Sequence, residues 1–385
     1  MTSPSAKQAN RLTGHADQLR ALPARYYVDE SILAREKEQI FFKSWQYAAH
    51  ISELAEQGSF VATEILGQNI FVIRDRQGDL RAFYNVCPHR GHQLLEGSGR
   101  KNVIVCPYHQ WSYDLNGELL GNRSTPGSVQ APANEICLSE VRVDRLLDFV
   151  FINLDAQALP IAEYWPGLEE QILAASPGVK SYTLSNSVSA LHPVDLRANW
   201  KIHVDNFLEC YHCRNGHESF CDMLDVPNQR QSLQQNYSYV FIPSANRPDN
   251  KAYPLDPQFD DMDLHFWHLF PNIGLAQFAG PGNLSISQWL PVGPERARRR
   301  IAQLDVAEVT DPGMLERRRL RTIWARDVLQ PEDIGFIESV QLGMSQRCFE
   351  QGWYMVDPQN EEISEVMVRH FHQTYLAHLD GASED

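Results

Sequence analysis

Two short loops carry the first residues whose spacing implies chemistry. In NVCPHRGHQLLEGSGRKNVIVCPYHQW, Cys87 and His89 are separated by one residue and Cys106 and His109 by two, with sixteen residues between the pairs. Two thiolates and two imidazoles could hold a single tetrahedral zinc. Zinc sites usually group their ligands as C-x2–4-C and H-x3–5-H, however, whereas here each loop supplies one ligand of each kind. That symmetry suits a [2Fe–2S] cluster in which one iron takes both Cys and the other both His. Exchanging two thiolates for neutral imidazoles raises the potential of such a cluster and makes it a good electron acceptor. Pro88 and Pro107 stiffen the loops, and Gly91 lets the backbone fold close over sulfide.

A second constellation follows in ANWKIHVDNFLECYHCRNGHESF, residues 198–220. Asp205, Glu209 and His212 are spaced i, i+4, i+7 and would share one face of a continuous helix. His217, five residues after His212, would lie about 140° away on that helix. For both imidazoles to meet one metal, the helix must end or distort, and Asn215-Gly216 offers a break. Two His and one carboxylate on one side of Fe(II) leave three positions open for oxygen and substrate.

Elements must hold these groups in place. ESILAREKEQIFFKSW reads as helical, with Ile32, Leu33, Ile40 and Phe41 forming an apolar face. SFVATEIL, NIFVIRD, LRAFYNV, NVIVC and WSYDL are short β-type runs, and Asn116-Gly117 signals a tight hairpin. This all-β texture closes near Pro160 and Pro166-Gly167. Beyond it, helical stretches near 195–223, 312–329 and 331–346 alternate with strands such as YSYVFI and NLSISQWL, which predicts an α+β domain with an antiparallel sheet. The length of 385 residues favours two domains, and a net charge of -15 argues against nucleic acid or an anionic membrane as partner. No apolar run approaches the roughly 20 residues needed to span a bilayer. Seven Cys, an odd number, point to a reducing compartment and to thiols as ligands or core fillers rather than bridges. A cytoplasmic location follows as the expectation.

At these motifs a family resemblance enters. C-P-H-R-G-H followed by C-P-Y-H-x-W resembles the Rieske motif of ring-hydroxylating-type oxygenase large subunits. Together with NWKxxVDNxxECYHC and PEDxxxxESVQxG, it looks most similar to the carnitine, glycine betaine and choline oxygenase branch. The resemblance implies a Rieske [2Fe–2S] domain over 46–160, a helix-grip catalytic domain over 161–385, and a helical segment, 1–45, packing on the catalytic domain. It implies Cys87, His89, Cys106 and His109 as cluster ligands, and His212, His217 and a late Asp, mapped to Asp333, as ligands of mononuclear Fe(II). Glu332, Asp327 and Glu338 compete with Asp333, because spacing alone does not exclude them.

By the same resemblance the protein is a homotrimer in which Glu209 bridges one subunit's cluster to the iron site of its neighbour. Most of the family has Asp at that position, and Glu belongs to a subset near the quaternary-ammonium enzymes. Asp205 is a weaker catalytic candidate. Electrons from NAD(P)H would arrive through a separate flavin and iron–sulfur reductase, since the chain shows no Gly-rich nucleotide fingerprint. With O2 as co-substrate, hydroxylation next to nitrogen would end in N-demethylation or C–N cleavage of a betaine- or carnitine-like quaternary amine. An aromatic-ring oxygenase of the same fold is the alternative, and an electron carrier or zinc protein using only the first motif is a third.

Other features have plainer readings. Cys210 and Cys213 read as core thiols, and His192, His203, His265 and His268 as packing groups. Tyr237, Tyr239, Phe241, Phe266, Trp267 and Phe270 read as core, with cation–π contact to a trimethylammonium group as the sharper option. The basic runs RARRR (296–300) and ERRRLR (316–321) read as solvated faces, or as steering an acidic reductase.

Overall fold

The computed structural model describes residues 19–123, 135–185, 194–357 and 364–381, so His192 lies outside the described residues. The chain divides into two compact units, Lys37–Glu170 and a second made of Met1–Glu36 with Gln171–Asp385. Sequence alone places these boundaries at 45/46 and 160/161. Among the described residues, no helix is long and apolar enough to cross a membrane.

The unit Lys37–Glu170 is built on an antiparallel sheet with strand order Gln46–His50, Phe149–Asn153, Glu140–Leu146, Leu80–Tyr84, Gln68–Arg74, Ser59–Ile65, Ser98–Arg100. Strand alternation sends successive side chains to opposite faces. Phe71 and Ile73 thus enter one core cluster, while Ile70 and Val72 enter another. Cys87 and Cys106 belong to the first cluster, beside Phe71, Phe83 and Tyr113. A small sheet of Ile104–Val105, Ser112–Tyr113 and Leu119–Gly121 carries the second Cys loop. Its hairpin turns at Gly117, whose φ of 87° favours glycine.

The other unit holds a sheet in the order Tyr182–Leu184, Arg296–Val306, Asn283–Gly293, Ile273–Gln277, Leu264–Leu269, Tyr237–Ile242, Arg230–Leu233, with Val194–Leu196 also pairing to Arg296–Val306. The helix Trp200–Phe207 starts at Asn199, whose side chain accepts from the Lys201 amide. A buried cluster fastens that helix: Lys201 Nζ and Trp200 Nε1 both donate to Glu36, and Tyr375 donates to it as well. The helices Pro312–Trp324 and Gln330–Met344 are joined through a π-helical turn, Ala325–Leu329. Such turns recur at functional sites. Ile32 and Leu33 are buried on the helix Glu30–Gln39, while Ile40 and Phe41 are buried beyond its end, where the chain turns as a short 3-10 segment instead of continuing the helix its sequence suggests.

The helix does not run on from Asp205 to His212. It ends at Phe207, and a separate short helix, Cys213–Gly216, begins after His212. The physical reason is local: the Glu209 carboxylate accepts from the His212 backbone N–H and starts a new turn instead of letting the old one continue. Cys210 and Cys213 are buried as expected but form a disulfide. The new turn brings their Cα atoms to 4.9 Å, within the range that permits a bridge, which corrects the reading of these two as free core thiols.

Candidate active site

In the Lys37–Glu170 unit the two Cys loops share one geometry. The amides of Cys87 and Cys106 donate to the carbonyls five residues on, of His92 and Trp111, and each Cys carbonyl accepts from the amide four residues on, of Gly91 and Gln110. The fourth residue is left-handed in both, with φ of 76° at Gly91 and 61° at Gln110. Glycine meets this requirement without strain, whereas Gln110 pays a steric cost that the loop imposes. Cys87 and Cys106 are each 1% exposed, and the Cys87 Sγ lies 3.1 Å from the Tyr113 hydroxyl. Burial raises the Cys87 thiol above its ordinary pKa. The imidazoles stand on the outer side: His89 is exposed, its ring centroid lies 4.7 Å from that of His109, and it stacks on Trp111.

These residues fit a two-iron cluster better than a single ion. His109 Nδ1 is buried with no partner, an orphan that ligation would satisfy. Among the described residues, the only group of His, Cys, Asp or Glu with donor atoms all within 4.8 Å of one another is His212, His217 and Asp333. The four loop residues are spread too widely to surround one zinc.

In the second unit the His212 and His217 Nε2 atoms face each other at 3.1 Å. Asp333 Oδ1 lies 2.9 Å from His217 Nε2 and 3.5 Å from His212 Nε2. The outer nitrogens meet other carboxylates: His212 Nδ1 pairs with Glu209, and His217 Nδ1 lies 2.8 Å from Glu332. A carboxylate on Nδ1 fixes the tautomer that leaves the Nε2 lone pair for a metal. Desolvation opposes charge on His212, yet Asp333 and Glu209 outweigh it and raise its pKa to about 10. Burial pushes Asp333 upward as well, but the two imidazoles hold it down to about 2. This mutual attraction among donors is what a cation at the centre would replace.

The carboxylates that compete with Asp333 are engaged elsewhere. Glu338 pairs with Arg197, Asp327 with Arg326, and Glu332 takes the far side of His217. Asp205 does not reach the three-residue group. It accepts from Tyr27 at 2.8 Å and lies 2.8 Å from His372 Nε2.

His212, His217 and Asp333 open on a cavity of about 200 Å³. Of the aromatic residues singled out from sequence, only Phe266 lines it; Tyr237, Trp267 and Phe270 are core. Phe207, Phe278 and Trp289, not recognised from sequence, line it too. Phe207 sits 5.2 Å from Phe266 and 5.4 Å from Trp289, centroid to centroid. The signal for Trp289 was the period of two in NLSISQW, which sends Ser285, Ser287 and Trp289 to one face.

The basic runs are not simple solvated faces. Arg321 is 4% exposed and pairs with Asp305, Arg317 pairs with Asp260, and Arg299 lines the cavity. His203, also in the wall, is 3% exposed, and burial together with the charge of Arg299 lowers its pKa to about 3, so it stays neutral.

Comparison with known proteins decides the family. Residues 44–133 match the Rieske [2Fe-2S] domain, and residues 185–381 match the ring hydroxylating alpha subunit catalytic domain. This chain belongs to the Rieske oxygenase family. It is an oxidoreductase with the α+β architecture expected from its motifs. The carnitine monooxygenase oxygenase subunit of Escherichia coli (strain K12) is 36% identical over 91% of each chain. The chloroplastic choline monooxygenase of Amaranthus tricolor is 27% identical over 91% of this chain and 76% of its own. Among solved structures, the quaternary ammonium Rieske monooxygenase CntA in complex with L-carnitine has a TM-score of 0.79 at 31% identity, covering 94% of this chain and 97% of its own. Naphthalene 1,2-dioxygenase from Rhodococcus sp. shares the fold at a TM-score of 0.79 and 19% identity, covering 99% and 98%.

Proposed function

We propose that this Rieske oxygenase is the terminal component of a monooxygenase that hydroxylates a quaternary ammonium compound of the betaine or carnitine kind, leading to N-demethylation or C–N cleavage. The observation that carries the reading is the His212, His217 and Asp333 group, with its outer nitrogens on Glu209 and Glu332, opening on an aromatic-walled cavity. Relatives named for carnitine and choline support the substrate class. When bound, a [2Fe–2S] cluster supplies single electrons and a mononuclear iron supplies oxygen activation.

The chain's own residues do the rest. Cys87, His89, Cys106 and His109 would hold the cluster, with the thiolates rooted in the core and the imidazoles turned outward, where a partner can reach them. His212, His217 and Asp333 would hold the iron. Glu209 orients His212 and is the group placed to meet a neighbouring subunit's cluster in a homotrimer. Phe207, Phe266 and Trp289 offer ring faces to an alkylated ammonium, which lacks N–H donors and so is bound by cation–π attraction. Their walls also limit water around the reacting carbon. NAD(P)H would act through a separate flavin and iron–sulfur reductase.

The test is a single-turnover assay. Reduced, iron-loaded protein is mixed with oxygen and a pool of quaternary amines and aromatic acids, and products are identified by mass. Trimethylamine, formaldehyde or a demethylated amine is the expected result. Hydroxylated aromatics with untouched amines would replace this reading by ring oxygenation.

A further inference from the structure

Charge inside the cavity is unevenly compensated. Five charged residues line it: Glu209, Asp333, Arg299, Arg321 and Arg326. Arg321 pairs with Asp305 and Arg326 with Asp327, while Glu209 and Asp333 face the two imidazoles. Arg299 alone of these has no carboxylate partner among the described residues. Its Nη2 donates to the neutral Gln330 Oε1 at 2.7 Å, and its Nε is buried with no partner. Asp333 is close enough to act on Arg299 electrostatically, but no ion pair joins them. A cation bound between His212, His217 and Asp333 would claim that carboxylate and leave the guanidinium without compensation.

Next to Arg299 lies a second unsatisfied group. His203 is 3% exposed, lines the same cavity, and its Nε2 has no partner. The register also places Arg299 directly across from Trp289 in the neighbouring strand. A fixed positive fork, a neutral imidazole and an aromatic face therefore share one stretch of wall. A guanidinium matches a carboxylate by its planar donors, and the aromatic face suits an alkylated ammonium.

We propose that Arg299, with His203 beside it, is the specificity-determining residue of this cavity and receives a carboxylate carried by the substrate. The chain then selects quaternary ammonium compounds that are also acids over those ending in an alcohol or ester. This rests on the quaternary-ammonium reading above and sharpens it. It also gives Arg299, within a run that resembles a solvated basic patch, a role in binding.

Calorimetry on the iron-loaded protein with γ-butyrobetaine and its methyl ester tests the proposal, because the ester keeps the ammonium and removes only the negative charge. Wild-type protein is expected to bind the acid roughly ten- to a hundredfold more tightly than the ester, the range for a hydrogen bond to a charged group. In Arg299→Gln the ratio should fall to about one through loss of acid affinity, with ester affinity unchanged and KM for the acid raised more than kcat is lowered. Arg299→Lys, which keeps charge without the fork, should fall between the two and covers the case in which the glutamine variant does not fold. Equal binding of acid and ester by wild-type protein, or a wild-type ratio in either variant, overturns the assignment of Arg299. Failure of both compounds to bind, with neither turned over, overturns the quaternary-ammonium reading as well.

Discussion

The two candidate metal sites of this chain are built in opposite ways. In the Rieske unit, two chemically similar loops place thiols inward and imidazoles outward, and the supporting contacts are mostly backbone hydrogen bonds within each loop. In the catalytic unit, the donors come from a broken helix and from a helix 116 residues away, and each of the two imidazoles is held from behind by a further carboxylate. Electron exchange needs only an edge that a partner can approach. Oxygen and substrate chemistry needs an enclosed space with open positions. The first site is therefore a local motif at a surface, and the second is assembled from distant parts around a cavity.

Substitutions can separate the two sites. The largest expected effect is at the Cys loops: Cys106→Ser should abolish the cluster's visible absorption and all turnover, while the protein still takes up iron at the second site. Loss of both metals together would break the proposed independence. His212→Ala should do the reverse, leaving the cluster spectrum intact and reducing product to background. Persistent product would remove His212 from the ligand set.

Glu209→Ala should retain both metals and slow turnover, read as delayed reoxidation of the reduced cluster in stopped flow; reoxidation at the wild-type rate would overturn the bridging role proposed for it. Replacing Glu332 by Gln is milder. Support of a ligand from behind typically contributes about 10- to 100-fold in metal affinity, so this variant should need more Fe(II) for half-maximal activity and recover at saturating metal.

The smallest effect is a pH dependence. In metal-free protein the His212 pKa is raised from 6.5 to about 10 by its carboxylate partners, so its contribution to stability is full below about pH 6.5 and is lost as pH rises toward 10. Asp333, lowered from 3.8 to about 2, contributes above pH 3.8 and loses that contribution as pH falls. Both shifts describe one interaction and are not additive. Because Fe(II) must displace the His212 proton, its apparent affinity should rise about tenfold per pH unit for each proton released below that pKa. Titrations at three pH values check the slope, and a flat response would exclude His212 as the displaced group.

Much of this is legible in the sequence. Cys87, His89, Cys106 and His109 announce themselves because each pair is fixed by a few residues of chain, and the hairpin at Gly117 follows from its dipeptide. The helical spacing of Asp205, Glu209 and His212 misled, because it assumed a continuous helix that the Glu209 side chain interrupts. Cys210 and Cys213 were close enough in sequence for a bridge, but composition favoured free thiols.

By itself, the sequence determined the ligand types, their pairing within each motif and the family they resemble, since such contacts depend on separations of a few residues. The tertiary structure decided that Asp333 meets the Nε2 atoms of the two imidazoles while Glu332 takes the far side of His217, and which aromatic residues wall the cavity. It also turned Arg299 inward while Arg298 pairs with Asp195 at the surface. The physical reason is register. Neighbouring residues in a strand point to opposite faces, and neighbouring carboxylates on a helix lie about 100° apart, so one position in the chain separates a residue at the site from one outside it, and only packing selects between them.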